Sequence, residues 1–203
     1  FVEMDVGDEA KVEAAANQIF SKYGPVTGVV TSAGVLQPPV PPEQLDMKIW
    51  DGVVQIDQRG TYLTCRAFGS HMAKNGGGSI VNIASIAGSR SLPLHSYSPA
   101  KAAVISMSAC LAAAWGRKNV RVNSVSPGAT LTPALQAEVD AGRRDISRFE
   151  ENSTLGRLVQ PEEIGEAVAF LLSRAASAIT GIDLPVDCGW LAGSTWHSYG
   201  GIR

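Results

Sequence analysis

Five short apolar runs punctuate this chain, at residues 1–6, 26–31, 79–84, 119–125 and 182–186, and helical periodicity fills the spaces between them. Strands alternating with helices predict a parallel sheet, because each parallel pairing needs a crossover and the crossover helices then cover both faces. After Asp8 the apolar positions Val12, Ala15, Ala16, Ile19, Phe20 and Tyr23 fall at helix spacing, and Gly24-Pro25 stops that helix. Residues 46–74 read as one long helix or two in tandem, with Gly60 as a close-packing point. Another helix is expected over about residues 96–118, with Pro99 tolerated in its first turn, and a further one starts at Pro161, where Glu162 and Glu163 suit the helix dipole. Residues 37–42 are proline-rich, residues 75–78 form a flexible Asn-Gly-Gly-Gly turn, and residues 129–160 are polar and weakly periodic. The fold class is therefore α/β, read as a single domain, with residues 129–155 as a loop closing over a ligand and residues 190–203 as a tail.

Residues 78–101 carry the densest chemistry. A buried strand ends at Ser85, a loop passes Gly88, and a helix begins near Tyr97. Tyr97 and Lys101 are four residues apart and share one helix face. Ser85 stands at the carboxyl end of its strand, where open α/β sheets hold their ligands. A phenol, an ammonium and a hydroxyl converging there suit proton transfer to a substrate oxygen. A free tyrosine has a pKa of about 10, and a neighbouring ammonium would lower it. The plainer alternatives are a surface pair for Tyr97 and Lys101 and a turn residue for Ser85.

The totals exclude several classes. The chain has 203 residues, 45% hydrophobic and 18% charged, which indicates a folded protein rather than a disordered one. A formal net charge of −2 with scattered Lys and Arg gives no nucleic-acid or membrane surface. Residues 102–115, the longest apolar run, are shorter than the roughly 20 needed to cross a bilayer. Cys65, Cys110 and Cys188 are far apart and odd in number, so neither a disulfide framework nor a metal cluster is expected and a cytoplasmic location fits. No histidine pair has ligand spacing, so no metal is expected; His71 and His197 read as surface residues. Met47, Met72 and Met107 read as core or interface filler.

Taken in order, these residues resemble the short-chain dehydrogenase/reductases, from Phe1 to about Trp190. Tyr97-Ser-Pro-Ala-Lys101 is similar to the family's Tyr-x-x-x-Lys, and Ser85 stands where the family has its serine. Thr31-Ser-Ala-Gly34 takes the place of the usual Asn-Asn-Ala-Gly, and Asp5-Val6 resembles the pair bordering the adenine. Val120 to Gly128 with Thr132-Pro133 resembles the segment over the nicotinamide; Gly156-Arg157, Pro161 to Ile164, Thr180-Gly181 and Val186 to Gly189 match C-terminal signatures. The resemblance implies a doubly wound, Rossmann-like parallel sheet and an NAD(P)-dependent oxidoreductase acting on a carbonyl or secondary alcohol. Tyr97 would be the general acid/base, Lys101 would lower its pKa, and Ser85 would hold the substrate oxygen. Asp5, Val6, Ser32, Ala33, Gly34, Tyr97, Lys101, Pro127, Gly128, Thr130 and Thr132 would bind NAD(H) or NADP(H), and His95, two residues before Tyr97, would line the substrate pocket together with Ser85 and Tyr97.

The sequence departs from the family pattern in two places. The first βαβ unit, with the glycine-rich dinucleotide loop, is not in the chain, which begins at Phe1; an incomplete record or a truncated protein is expected, with residues 1–5 lacking a strand to pair with. The helix asparagine that usually holds a relay water aligns with Asp57, anchored by Trp50 before it and Gly60 after it. A carboxylate there would favour a charged Lys101 but weaken its field at Tyr97. These departures leave an alternative: a truncated or pseudoenzyme subunit with a binding or assembly role. Asn123 and Pro127-Gly128 have structural readings as well, and the aromatic tail residues Trp190, Leu191, Trp196, His197 and Tyr199 read as subunit packing before pocket wall. Small residues along 96–118 and the family habit imply a homotetramer or dimer taking a small-molecule substrate.

Overall fold

A computed structural model describes residues 1–196. Four parallel strands, β1 (Gly28–Thr31), β2 (Gly78–Ile83), β3 (Val120–Pro127) and β4 (Asp183–Val186), lie in the order β1-β2-β3-β4. Val30 pairs with Val81, Ile80 with Val122, and Val125 with Leu184. The helices are α1 (Glu9–Tyr23), α2 (Met47–Val53), α3 (Thr61–Met72), α4 (Tyr97–Trp115), α5 (Pro133–Asp140), α6 (Ser147–Asn152), α7 (Pro161–Leu172) and α8 (Trp190–Gly193). The expected long helix over 46–74 is α2 and α3 joined by a π-helical segment, Val54–Gly60.

Strand alternation assigns the two faces. Ile80 and Val122 pack with Cys65 and Met72 of α3 and Leu111 and Ala112 of α4. Val81 and Val125 pack on the opposite face with Leu171 of α7 and Ala176. Fully burying each such side chain contributes about 1.5–3 kcal/mol. Helices thus cover both faces, as the alternation predicts. Burial also pushes the Cys65 thiol up to about 12, leaving it an inert core group. Beneath the strand ends, Asn82 ties three elements together: it accepts from Thr31 Oγ1 at 2.8 Å and from Cys65 Sγ at 3.1 Å, and donates to Ser108 Oγ at 2.9 Å.

Two expectations are corrected, those for residues 1–6 and for His71. Residues 1–6 pair with no strand of the sheet and form none; Met4 packs with side chains of α1 and α3. Of the methionines read as core or interface filler, Met72 is core and Met47 is 60% exposed at the start of α2. His71 is half-buried rather than a surface residue, its ring stacked on Phe20 with centroids 3.6 Å apart. Asn123 is structural, donating to the Ile179 carbonyl and accepting from the Ile182 amide. The 129–160 stretch holds α5 and α6, and no helix among the described residues is long and apolar enough to cross a membrane.

Candidate active site

The carboxyl end of β2 sets the site. Ser85 leaves the strand and starts a short 3₁₀ turn, Ile86–Gly88, its Oγ accepting from the Ala87 amide at 3.1 Å. Gly88 lets that turn press on α4: a Cβ there would lie 2.8 Å from the Ala102 nitrogen and the Lys101 carbonyl carbon. This close approach brings Ser85 towards Tyr97, the first residue of α4, and both side chains line the same two clefts.

Lys101 follows one turn later. Its Nζ lies 5.4 Å from the Tyr97 ring centroid and donates to the Ile83 carbonyl at 3.1 Å. The same ammonium meets Asp57 Oδ2 at 3.2 Å, with side-chain exposures of 6% for Lys101 and 0% for Asp57. That contact lies off the hydrogen-bond line, so Oδ2 is otherwise unpartnered; the short separation in a buried setting makes it an ion pair. Asp57 Oδ1 accepts from the Val35 amide at 2.8 Å, and Thr61 Oγ1 donates to the Asp57 carbonyl at 2.7 Å. Asp57 lies within the π segment, a backbone irregularity that is frequent at functional sites.

The electrostatics differ from the expected lowering of Tyr97. In the chain alone its pKa is raised: burial is the main cause, the Ser85 hydrogen bond opposes it, and the Asp57 charge adds to it. Lys101 is neutralised by Asp57 at 3.2 Å, so its field at the phenol is weak.

Two clefts meet at Tyr97. One, of about 420 Å³, is lined by Ser32, Gly34, Asp57, Lys101 and Thr132, with Val35, Ile83 and Ala84. The other, of about 310 Å³, has walls from Leu92, Leu94, Leu135, Leu158 and Trp190, among others. Leu36, Ser85, Tyr97, Pro127, Gly128 and Thr130 line both. A smaller pocket of about 100 Å³ collects Val6, Ser32 and Ala33 beside Met4, Val30 and Gly60. Asp5 lines none of the three; its Oδ1 accepts from the Gly7 amide at 2.9 Å. His95 is half-buried and lines neither cleft beside Tyr97. Trp190 lines the second cleft, and Trp196 is 56% exposed; His197 and Tyr199 lie outside the described residues.

The larger cleft suits a nicotinamide. Its glycines let backbone come close: a Cβ on Gly34 would lie 3.0 Å from Asp57 Oδ2, and one on Gly128 would lie 2.8 Å from Asp187 Cα. Thr130 Oγ1 donates to the Gly128 carbonyl at 3.0 Å, and Thr132 Oγ1 caps α5 through the Leu135 amide at 3.2 Å. Among the described residues no group of three His, Cys, Asp or Glu could hold a metal ion.

One positioning residue escapes sequence reasoning. Gln37 is fully buried in the proline-rich loop, and its Oε1 accepts from Ser96 N at 2.7 Å and Ser96 Oγ at 2.8 Å, fixing the residue before Tyr97. A contact between residues so far apart in sequence leaves no local signal.

Comparison with known proteins agrees with this geometry. Residues 1–191 match the family model adh_short_C2, described as enoyl-(acyl carrier protein) reductase. D-threitol dehydrogenase from Mycolicibacterium smegmatis is 40% identical over 187 residues, covering 92% of this chain and 71% of that protein. A crystal structure named ribose-5-phosphate isomerase, from Brucella melitensis 16M, is 52% identical with a TM-score of 0.93, covering 98% of this chain and 78% of the other. ElxO with NADP bound is 28% identical with a TM-score of 0.90, covering 93% and 77%. With Ser85, Tyr97 and Lys101 gathered at the carboxyl edge of a parallel sheet, the chain belongs to the short-chain dehydrogenase/reductase family, the nicotinamide-dependent oxidoreductases of alcohols and ketones.

Proposed function

We propose that the protein interconverts a secondary alcohol and its ketone with Tyr97 as the proton-transferring group. The observation that carries this is the convergence of Ser85 and Tyr97 at the junction of the two clefts, both of which they line. Bound in the larger cleft, the nicotinamide would supply or accept hydride. The substrate oxygen would sit against Ser85 and Tyr97. In oxidation its O–H proton passes to the Tyr97 phenolate as hydride leaves the carbinol carbon; in reduction the phenol returns the proton to the oxygen. Ser85 holds that oxygen by hydrogen bonding. Lys101 stands beside the Tyr97 ring and, through Asp57, is held off the solvent. Val6 and Ala33 at the smaller pocket, with Asp5 shaping its turn, would border the adenine end.

The alternative of a non-catalytic subunit gains no support from the relatives, which are named as enzymes. The isomerase name of the Brucella structure is not favoured by the site: a hydroxyl pair facing a glycine-lined cleft suits redox chemistry. We further read the chain as one domain of a cytoplasmic homo-oligomer, supported by exposed Ala109, Ala113 and Ala114 on α4.

The test is turnover by the full-length protein, with NAD and NADP titrated separately against a panel of alcohols and ketones. Tyr97→Phe is expected to lower kcat by roughly 10²–10⁴-fold while retaining cofactor affinity. A Tyr97→Phe protein with parental turnover would refute the assignment.

A further inference from the structure

The smaller cleft has an unusual wall for a protein whose relatives include a polyol dehydrogenase. Its lining is almost wholly aliphatic and aromatic. The polar exceptions are Ser85, Tyr97, Thr130 and Arg144. Ser85 and Tyr97 are committed to the reacting oxygen, and Thr130 Oγ1 donates to the Gly128 carbonyl at 3.0 Å. A polyol would bring several further hydroxyls into this cleft, and the side chains offer them almost nothing to bond. Buried hydroxyls without partners weaken binding strongly.

Arg144 is the remaining group. It lies between α5 and α6, at the rim of the cleft. Its neighbours Arg143 and Arg148 are paired, with Glu138 at 2.8 Å and Glu151 at 3.4 Å. Among the described residues Arg144 has no carboxylate within ion-pair distance. Its guanidinium lies 5.9 Å from the ring centroid of Phe149, which lines the same cleft. The fork is thus held against the apolar wall with its donors free, and a planar guanidinium matches a carboxylate in two parallel hydrogen bonds. A volume of about 310 Å³ is at the small end of ligand sites, about 300–1,000 Å³, so the body between the two polar ends is compact.

We infer that the substrate is a compact hydroxy acid or the matching keto acid: an apolar body with its reacting oxygen at Ser85 and Tyr97 and a carboxylate at Arg144. This rests on the redox reading above and narrows it to a substrate class. The carboxylate makes and breaks no bond; it anchors the molecule across the cleft.

The test compares 3-hydroxycyclohexanecarboxylate, its methyl ester and xylitol as substrates of the full-length enzyme with each nicotinamide cofactor. The parent is expected to prefer the acid to the ester in kcat/KM by about tenfold or more, the size of a charge-assisted hydrogen bond. Arg144→Met should collapse that ratio by a similar factor, chiefly through KM, and Arg144→Lys should restore part of it. Melting temperatures of both variants check that the exposed substitution leaves the fold intact. An acid-to-ester ratio near one in the parent, a ratio that survives Arg144→Met, or preferred turnover of xylitol would overturn the hydroxy-acid assignment while leaving the redox reading in place. No turnover of any of the three, with no binding of NADH or NADPH, would overturn both.

Discussion

The pair Asp57–Lys101 can be dissected by a double-mutant cycle, and its geometry gives the magnitude. The ammonium and the carboxylate are 3.2 Å apart with 6% and 0% of their side chains exposed, so solvent screens them little. Asp57→Asn keeps an oxygen for the Val35 amide, now met at 2.8 Å, but leaves the Lys101 charge with only the Ile83 carbonyl. Lys101→Met leaves the carboxylate charge buried beside one amide. Breaking a buried pair from one side costs about 3–5 kcal/mol, because an uncompensated charge stays inside. At about 2–4 °C per kcal/mol for a chain of this size, each single variant should melt roughly 6–20 °C below the parent. The double variant buries no charge and should recover most of that loss. Equilibrium urea unfolding of the cofactor-free, full-length protein at pH 7 measures the coupling, expected to be at least about 3 kcal/mol. If the two losses simply add, the residues do not function as an ion pair and the electrostatic account of Tyr97 falls with them.

The charge on Asp57 is one of the causes raising Tyr97, so Asp57→Asn should move the alkaline-activated limb of kcat/KM for alcohol oxidation toward lower pH; superimposable profiles would rule this out. Gly60 packs so closely on the segment before α1 that a Cβ would lie 2.9 Å from Val6 Cγ2 and 3.0 Å from the Val6 carbonyl oxygen. Overpacking of this kind costs about 1–3 kcal/mol, so Gly60→Ala should displace Val6 and weaken NAD(P)H binding by roughly tenfold, read by fluorescence titration. Parental affinity would mean that the pocket around Val6 does not hold the cofactor.

The sheet was readable because burial repeats a local pattern. Ile80, Val81, Val122 and Val125 are fully buried, and their apolar runs alternate with amphipathic helices in the linear order. Residues 1–6 carry the same strand-like composition, yet a strand is defined by a neighbour, and they pair with none. Ser85, Tyr97 and Lys101 were legible for a similar reason: the strand end and the helix start lie close in sequence, and helix geometry fixes the spacing of the last two. Asp57 was visible only through its alignment with a family pattern, and its partnership with Lys101 needed the structure. The substrate cleft was the least legible part. Leu36, Leu94, Leu158 and Trp190 come from four separate segments, and nothing in an aliphatic side chain marks it as wall rather than core. Arg144 sits in the weakly periodic stretch, where one more surface arginine looks like any other until its neighbours are seen to be paired and it is not. Proton-transfer chemistry admits few residue types and so writes itself into the sequence, whereas the substrate selection proposed above would rest on shape and on Arg144, whose setting only the folded arrangement exposes.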